Sequence, residues 1–347
     1  NNNLCSVSDD ASRTLTFSYD VNDHIIEVTD WTGRQFQYGY TDGNNNLTSY
    51  SNPLAVAGSQ SAVSYEYFDA SDGAYLNHVL KKRTKAKGNS TSYEYYANNR
   101  IFRKTDALGG QVVYRYNDFR RETTEVDERG YERVYRHDQF GNLVELIQED
   151  GGVIRYAFDT SSPDNIYNRI SLQSPEGYLT QYEYDNNGNV TRIVNPSGST
   201  IESGYYNTFS QPGLIKDLNE NYLVNQFDAS GNLLQSIDLT KSYCIANDCS
   251  LIDPSAYIPT ATDMIAWAVY DYNASGKVTE RKRVRDFAAQ IASPTAVSET
   301  GSRLSYSYDG NELYLTSITR TGKFNHDVVV SSQAATIVYD SLGRLTS

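Results

Sequence analysis

A tyrosine, one spacer, a second aromatic residue and then Asp recur along this chain, most cleanly as Tyr182-Glu183-Tyr184-Asp185 and Tyr306-Ser307-Tyr308-Asp309. A phenol close to a carboxylate can exchange protons, and a Tyr or His base with a charge-neutralising Arg could break an acidic polysaccharide by β-elimination. The chain holds 30 Tyr, however, so a Tyr with an Arg somewhere near it carries almost no information. Recurrence argues for a different role, because a catalyst is needed once. The motif also stands at Tyr19-Asp20 and Tyr339-Asp340, and its basic interval is about 21 residues. The Asp is therefore expected to begin a turn.

Other chemistry is thin. The four His residues, His24, His78, His137 and His326, are scattered, and His137 occupies a slot that Tyr fills elsewhere, which suits a structural substitute. Nothing resembles a phosphate loop, a nucleophile elbow, a zinc-binding His pair or a dinucleotide fingerprint, so no catalytic residue, metal or cofactor is assigned. Cys244 and Cys249 stand five positions apart, and Cys5 is alone. A disulfide between the close pair and a pair of buried thiols both remain open, while zinc would need two further ligands that are not nearby.

The elements that carry the motif follow from its spacing. Tyr182 and Tyr184, two apart, project from one face of an extended strand, and Glu183 projects from the other. Asp185 to Gly188 supplies a turn, Asp accepting local backbone bonds and Gly tolerating positive φ. A second strand runs through Val190 and Ile193, and Asn195-Pro196-Ser197-Gly198 closes it. Asp138 to Leu143, Asp228 to Leu233 and Tyr339 to Leu345 with Gly343 repeat this grammar. Apolar positions after the turn fall three apart, as in Leu143 and Leu146 or Val190 and Ile193, where alternation would give two; a bulge or a strong twist would reconcile that with a strand. Each unit is then two strands and two turns, roughly 26 strands in all at the usual strand spacing.

Composition agrees. Thirty Tyr against 11 Phe and 2 Trp, with 23 Gly and 8 Pro, is an all-β composition, and a continuous repeat lets one array occupy residues 1–347. Two segments break the period, 240–266 and 284–303; the first is expected to be a loop or plug, the second to hold a short helix near Asp286 to Ile291. A formal charge of -13 argues against wrapping nucleic acid. The basic run Lys81, Lys82, Arg83, Lys85, Lys87, Arg100, Arg103 and Lys104 is expected to be a solvated strand face or a neighbour of acidic repeats. No apolar stretch is long enough to span a bilayer, and the first residues, Asn1-Asn2-Asn3-Leu4, are neither a Met start nor a signal peptide, as expected of a fragment of a longer protein.

The YxYDxxGxL pattern, with its second turn about ten residues later, resembles the YD repeats of the RHS family, found in bacterial polymorphic toxins, insecticidal Tc toxins and teneurins. The resemblance implies a β-hairpin array in a curved or spiralling sheet, an open or hollow barrel-like shell that encloses a cargo polypeptide. It also implies a secreted or surface-delivered bacterial parent, with the remainder of that chain as the main partner. Family toxins often end the shell with a self-cleaving element rich in Asp-Pro-x-Gly. Asp253-Pro254-Ser255-Ala256 lacks the Gly, so that role is not transferred. The leading expectation is a non-catalytic wall segment. The alternatives are a glycan- or protein-binding adhesion module and part of a lyase acting on acidic polysaccharide.

Overall fold

The computed structural model describes residues 3–9, 13–260, 263–292, 301–310, 314–325, 328–339 and 345–346. The fold is all-β: among the described residues, a 26-stranded antiparallel sheet is accompanied by three short α-helices and two single 3-10 turns. The chain divides into two compact units, residues 1–155 and 156–347.

In the first unit every strand from Ser6–Ser8 onward pairs with the next one in sequence. In the second, the same meander runs from Arg169–Gln173 to Val328–Thr336. Most strands are five to seven residues long. Their connections are tight turns because Asp or Asn, followed by Gly or another residue at positive φ, reverses the chain locally.

The three-residue spacing of apolar positions has a definite cause. In the pairing of Leu179–Tyr184 with Val190–Val194, Glu183 lies opposite Arg192 but Tyr184 lies opposite Val190, so Thr191 is the extra residue of a bulge. The same slip occurs at Tyr19, Tyr67, Tyr95, His137, Phe227, Tyr272 and Tyr308, each the second aromatic of its unit. A bulge lets Val190 and Ile193 share the tyrosine face although they are three apart.

Neither unit is a conventional two-layer domain. In the first, Leu76 is the buried apolar residue among those described. In the second, a cluster of Leu214, Val224, Ile237, Leu239, Cys244, Cys249, Met264, Trp267 and Val284 forms a local core. It exists because the segment after Leu239 folds back onto the sheet: a helix Lys241–Asn247, N-capped by the Thr240 hydroxyl, and a 3-10 turn Cys249–Leu251. Met264 to Ala266 already belong to the next strand, Met264–Tyr272. In the other irregular segment, Phe287–Ala292 is helical.

Candidate functional site

The repeat motif is a closed hydrogen-bonding device. Asp185 Oδ1 accepts the N–H of Asn187 and of Asn189, both at 2.9 Å, and Oδ2 accepts the Asn189 side-chain amide at 2.9 Å. The backbone completes it: Asp185 N–H donates to the Asn189 carbonyl and Gly188 N–H to that of Asp185. Gly188 sits at φ +81, in the left-handed region where a Cβ is strained. The Asn189 amide, first, and the surrounding N–H groups hold the Asp185 carboxyl below its ordinary value. Asp228 is built the same way with Ser230 and Asn232, and Asp138 with Phe140 and Asn142. Asp20 binds the N–H of Asn22 and His24 and the His24 ring, and Asp309 binds the N–H of Tyr314. These carboxylates accept backbone N–H groups of their own turns.

The second aromatic has a role that composition alone concealed. Tyr184 donates its hydroxyl to the Arg169 carbonyl at 2.8 Å, and Tyr308 to that of Val278 at 2.9 Å. Tyr95 reaches Leu80, Tyr116 reaches Ile101, Tyr206 reaches Val190 and Tyr272 reaches Leu233. The acceptors follow a rule: Leu80, Ile101, Val190, Leu233 and Val278 are the residues opposite the second aromatic of the preceding unit. Each of these units is thus latched to the one before it. Tyr19 makes the corresponding bond to the Leu4 carbonyl at 2.9 Å. Where Phe227 lacks a hydroxyl, Asn225 donates its amide to the Pro212 carbonyl at 3.2 Å, and Pro212 is opposite Tyr206. Burial pushes the phenols of Tyr184 and Tyr308 upward, keeping them protonated donors. Ring contacts occur beside this latch, as in Tyr38 with Tyr50 at 5.6 Å.

The residues of the first clean copy therefore sit together: Tyr182 and Tyr184 half-buried on one face, with Asp185 and Gly188 in the adjoining turn. Tyr339 pairs with Leu345 in an isolated bridge, and its ring lies 4.7 Å from that of Tyr314. Asp340 and Gly343 lie outside the described residues.

The opposite face carries rows of alternating charge. In the first unit Glu122, Arg136, Glu145 and Arg155 stand side by side on four strands; Arg136 Nε is 2.8 Å from Glu122, its Nη1 meets Glu145, and Arg155 is 3.2 Å from Glu145. In the second, Glu183, Arg192, Glu202 and Lys216 repeat the arrangement, with separations of 2.9, 3.9 and 3.7 Å. Sequence reading missed these rows, although a charged residue between the two aromatics followed nine positions later by its opposite, as in Glu183 and Arg192, was a usable signal. Half of the basic run meets acids: Lys82 pairs with Glu66, Arg103 with Glu94, Arg100 with Asp118, and Lys81 lies 4.0 Å from Asp72.

On that same face of the second unit the charges give way to a directly opposed apolar row, Leu214, Val224, Ile237, Trp267 and Val284. Residues 240–260 cover it. Cys244 and Cys249 are joined by a disulfide that ties the helix to the 3-10 turn, and both are buried in the cluster. Gln226 anchors the segment from the sheet, donating to the carbonyls of Pro254 and Tyr257 at 2.7 and 2.8 Å. Cys5 is a free, exposed thiol. Among the described residues, no group of three or more His, Cys, Asp or Glu is placed to hold a metal ion, and no helix is long and apolar enough to cross a membrane.

Residues 168–200, which contain the strand pair around Asp185, match the family model described as RHS Repeat. The chain resembles the RHS/YD-repeat family. Among solved structures it is similar to the Tc holotoxin pore of Photorhabdus luminescens, with 14% identity and a TM-score of 0.56 over 98% of this chain and 19% of that one. It is also similar to TcdB2-TccC3 without its hypervariable C-terminal region, with 14% identity and a TM-score of 0.57 over 96% of this chain and 19% of the other. The likeness is one of fold, and the chain spans about a fifth of the length of these structures. No curated protein matches it by sequence. The matched stretch holds one bulged hairpin with the Tyr184 latch described above.

Proposed function

We propose that this chain is a wall segment of an encapsulating β-shell in a large secreted or surface-delivered RHS/YD-repeat protein, and that its role is structural and not catalytic. The observation that carries this reading is the latch rule. In repeated units a tyrosine hydroxyl binds the unit before it, so the sequence is spent on propagating a thin sheet and not on assembling one chemical centre. The fold likeness to about a fifth of much longer toxin chains supports it, since a wall is made of many such stretches. The residues 1–347 act in this reading as one array, with 240–266 and 284–303 as elaborations of it. Its partners are the rest of the parent chain and the polypeptide that the wall surrounds.

Imaging of single particles of the parent protein, combined with limited proteolysis, tests this. The expected result is a β-wall in which this stretch runs on into neighbouring repeats around a protease-protected polypeptide. A particle in which this stretch is a detached module bordering no enclosed volume would overturn it.

A further inference from the structure

The repeat is irregular at one place in the first unit. The turn after Tyr116 runs Asn117-Asp118-Phe119-Arg120-Arg121, with Arg121 at φ +48 in a position where most turns place Gly or Asn and where Asp23, Ser210 and Glu220 also stand. Tyr116 pairs with Thr123 without a register slip, as Tyr206 does with Pro212. The next unit then has His137 in place of the latching Tyr, and the ring has no hydroxyl to reach back across Thr123. These departures converge: Arg100, Tyr116, Arg121, Thr123 and His137 line one cavity of about 420 Å³ at the turn end of the tyrosine face.

The polar groups around this cavity divide into committed acceptors and open donors. Asp118 is paired with Arg100, whose guanidinium also lies 5.1 Å from the centre of the Tyr116 ring. Glu122 is held by Arg136 at 2.8 Å. Asp138 accepts the N–H groups of Phe140 and Asn142 and the Asn142 amide in its own turn. Among the described residues, by contrast, no carboxylate pairs with Arg121, and neither the His137 ring nor the Thr123 hydroxyl has a protein hydrogen-bond partner. A guanidinium with no carboxylate partner, beside an imidazole and a hydroxyl with free donor capacity in one cavity, has the chemistry of an oxyanion cradle.

We propose that this cavity binds a small oxyanion, a carboxylate or phosphate group, with Arg121 as the principal donor and His137 and Thr123 completing the contact. The Arg100–Asp118 pair forms its rim. The site arises from the irregular repeat and is independent of whether the chain walls a shell.

The test follows the imidazole resonances of the full chain by NMR during titration with inorganic phosphate and, separately, citrate, at constant ionic strength in chloride. Two variants compatible with a left-handed backbone, Arg121→Asn and Arg121→Gly, keep the turn, and unchanged resonances of the other three His residues report that the fold is intact. The expected result is a saturable shift of His137, at least tenfold weaker in both variants and unchanged in Lys85→Gln, an exposed lysine outside the cavity. Tighter saturation by one titrant tells phosphate from carboxylate. A shift that never saturates, or curves that coincide in wild type and both Arg121 variants, would overturn the proposal.

Discussion

The Tyr116 hydroxyl donates to the Ile101 carbonyl at 3.0 Å, and Ile101 is itself the residue opposite Tyr95 across the preceding bulge. A bulge leaves part of the local ladder unpaired. The latch supplies a donor at that point, which explains why Tyr outnumbers Phe in a chain whose rings are half-buried. Tyr116→Phe should cost about 1 kcal/mol, the usual net worth of such a bond. Tyr135→Phe, at a first-aromatic position whose hydroxyl serves no latch, should cost clearly less. Denaturant unfolding of both variants checks this, and equal losses would count against the latch.

The charged rows should behave as networks. Arg136 separates two carboxylates, Glu122 and Glu145, that would otherwise face each other with no cation between them. Arg136→Gln should cost about 1 kcal/mol at low salt, the sum of two cross-strand pairs. Most of that difference should vanish near 1 M salt, where the screening length is about 3 Å. A loss that is the same at both ionic strengths would show that packing of the arginine stem, and not charge, is what matters.

The covered apolar row predicts a local core. Val224 and Ile237 are both 0% exposed, and the disulfide-tied segment lies over them. Ile237→Ala should cost about 3 kcal/mol. Replacing Cys244 and Cys249 together by Ser should cost about 2 kcal/mol, the chain-entropy value for so short a loop. In both variants the emission of Trp267, 8% exposed, should shift toward that of a solvated indole at lower denaturant. Unchanged Trp267 emission in the Cys variant would mean that the segment stays docked without its bond.

Stability should fall at both ends of the pH scale, for separate reasons. The turn carboxyls of Asp185 and Asp228, bonded foremost by the Asn side chains four residues on, titrate below their ordinary value of 3.8, as does Asp20 with the His24 N–H. The unfolded chain therefore takes up protons first, so their stabilisation is complete above about pH 4 to 5 and is lost as pH falls through the lowered values. The latch phenols of Tyr95, Tyr116, Tyr206 and Tyr272 are raised above 10.0, burial being the main cause. Their contribution is full below pH 10 and is lost as pH rises through the folded values, since the unfolded phenols ionise first. Melting temperatures measured across the range should show a plateau with two descending arms. Asp185→Asn should shallow the acid arm and leave the alkaline one untouched.

Local periodicity determined much of this protein. Tyr182 and Tyr184 on one face, the Asp185 turn, the need for a bulge between Val190 and Ile193, and the all-β class all follow from steric and hydrogen-bonding preferences that act within a few residues. The tertiary structure decided what depends on partners some nine to thirty-nine positions away along the chain. Sequence spacing cannot show that the Tyr116 hydroxyl meets the carbonyl of Ile101, because that requires the register of three strands at once. Nor can it show that Arg136 stands between two glutamates, or that the segment after Leu239 covers Ile237. The Cys244–Cys249 bond, one of two open states in the sequence, was decided by the helix and 3-10 turn that bring the two thiols together over the sheet. The interval of about 21 residues set the building unit; the register between units, fixed by long-range backbone pairing, set what each side chain does.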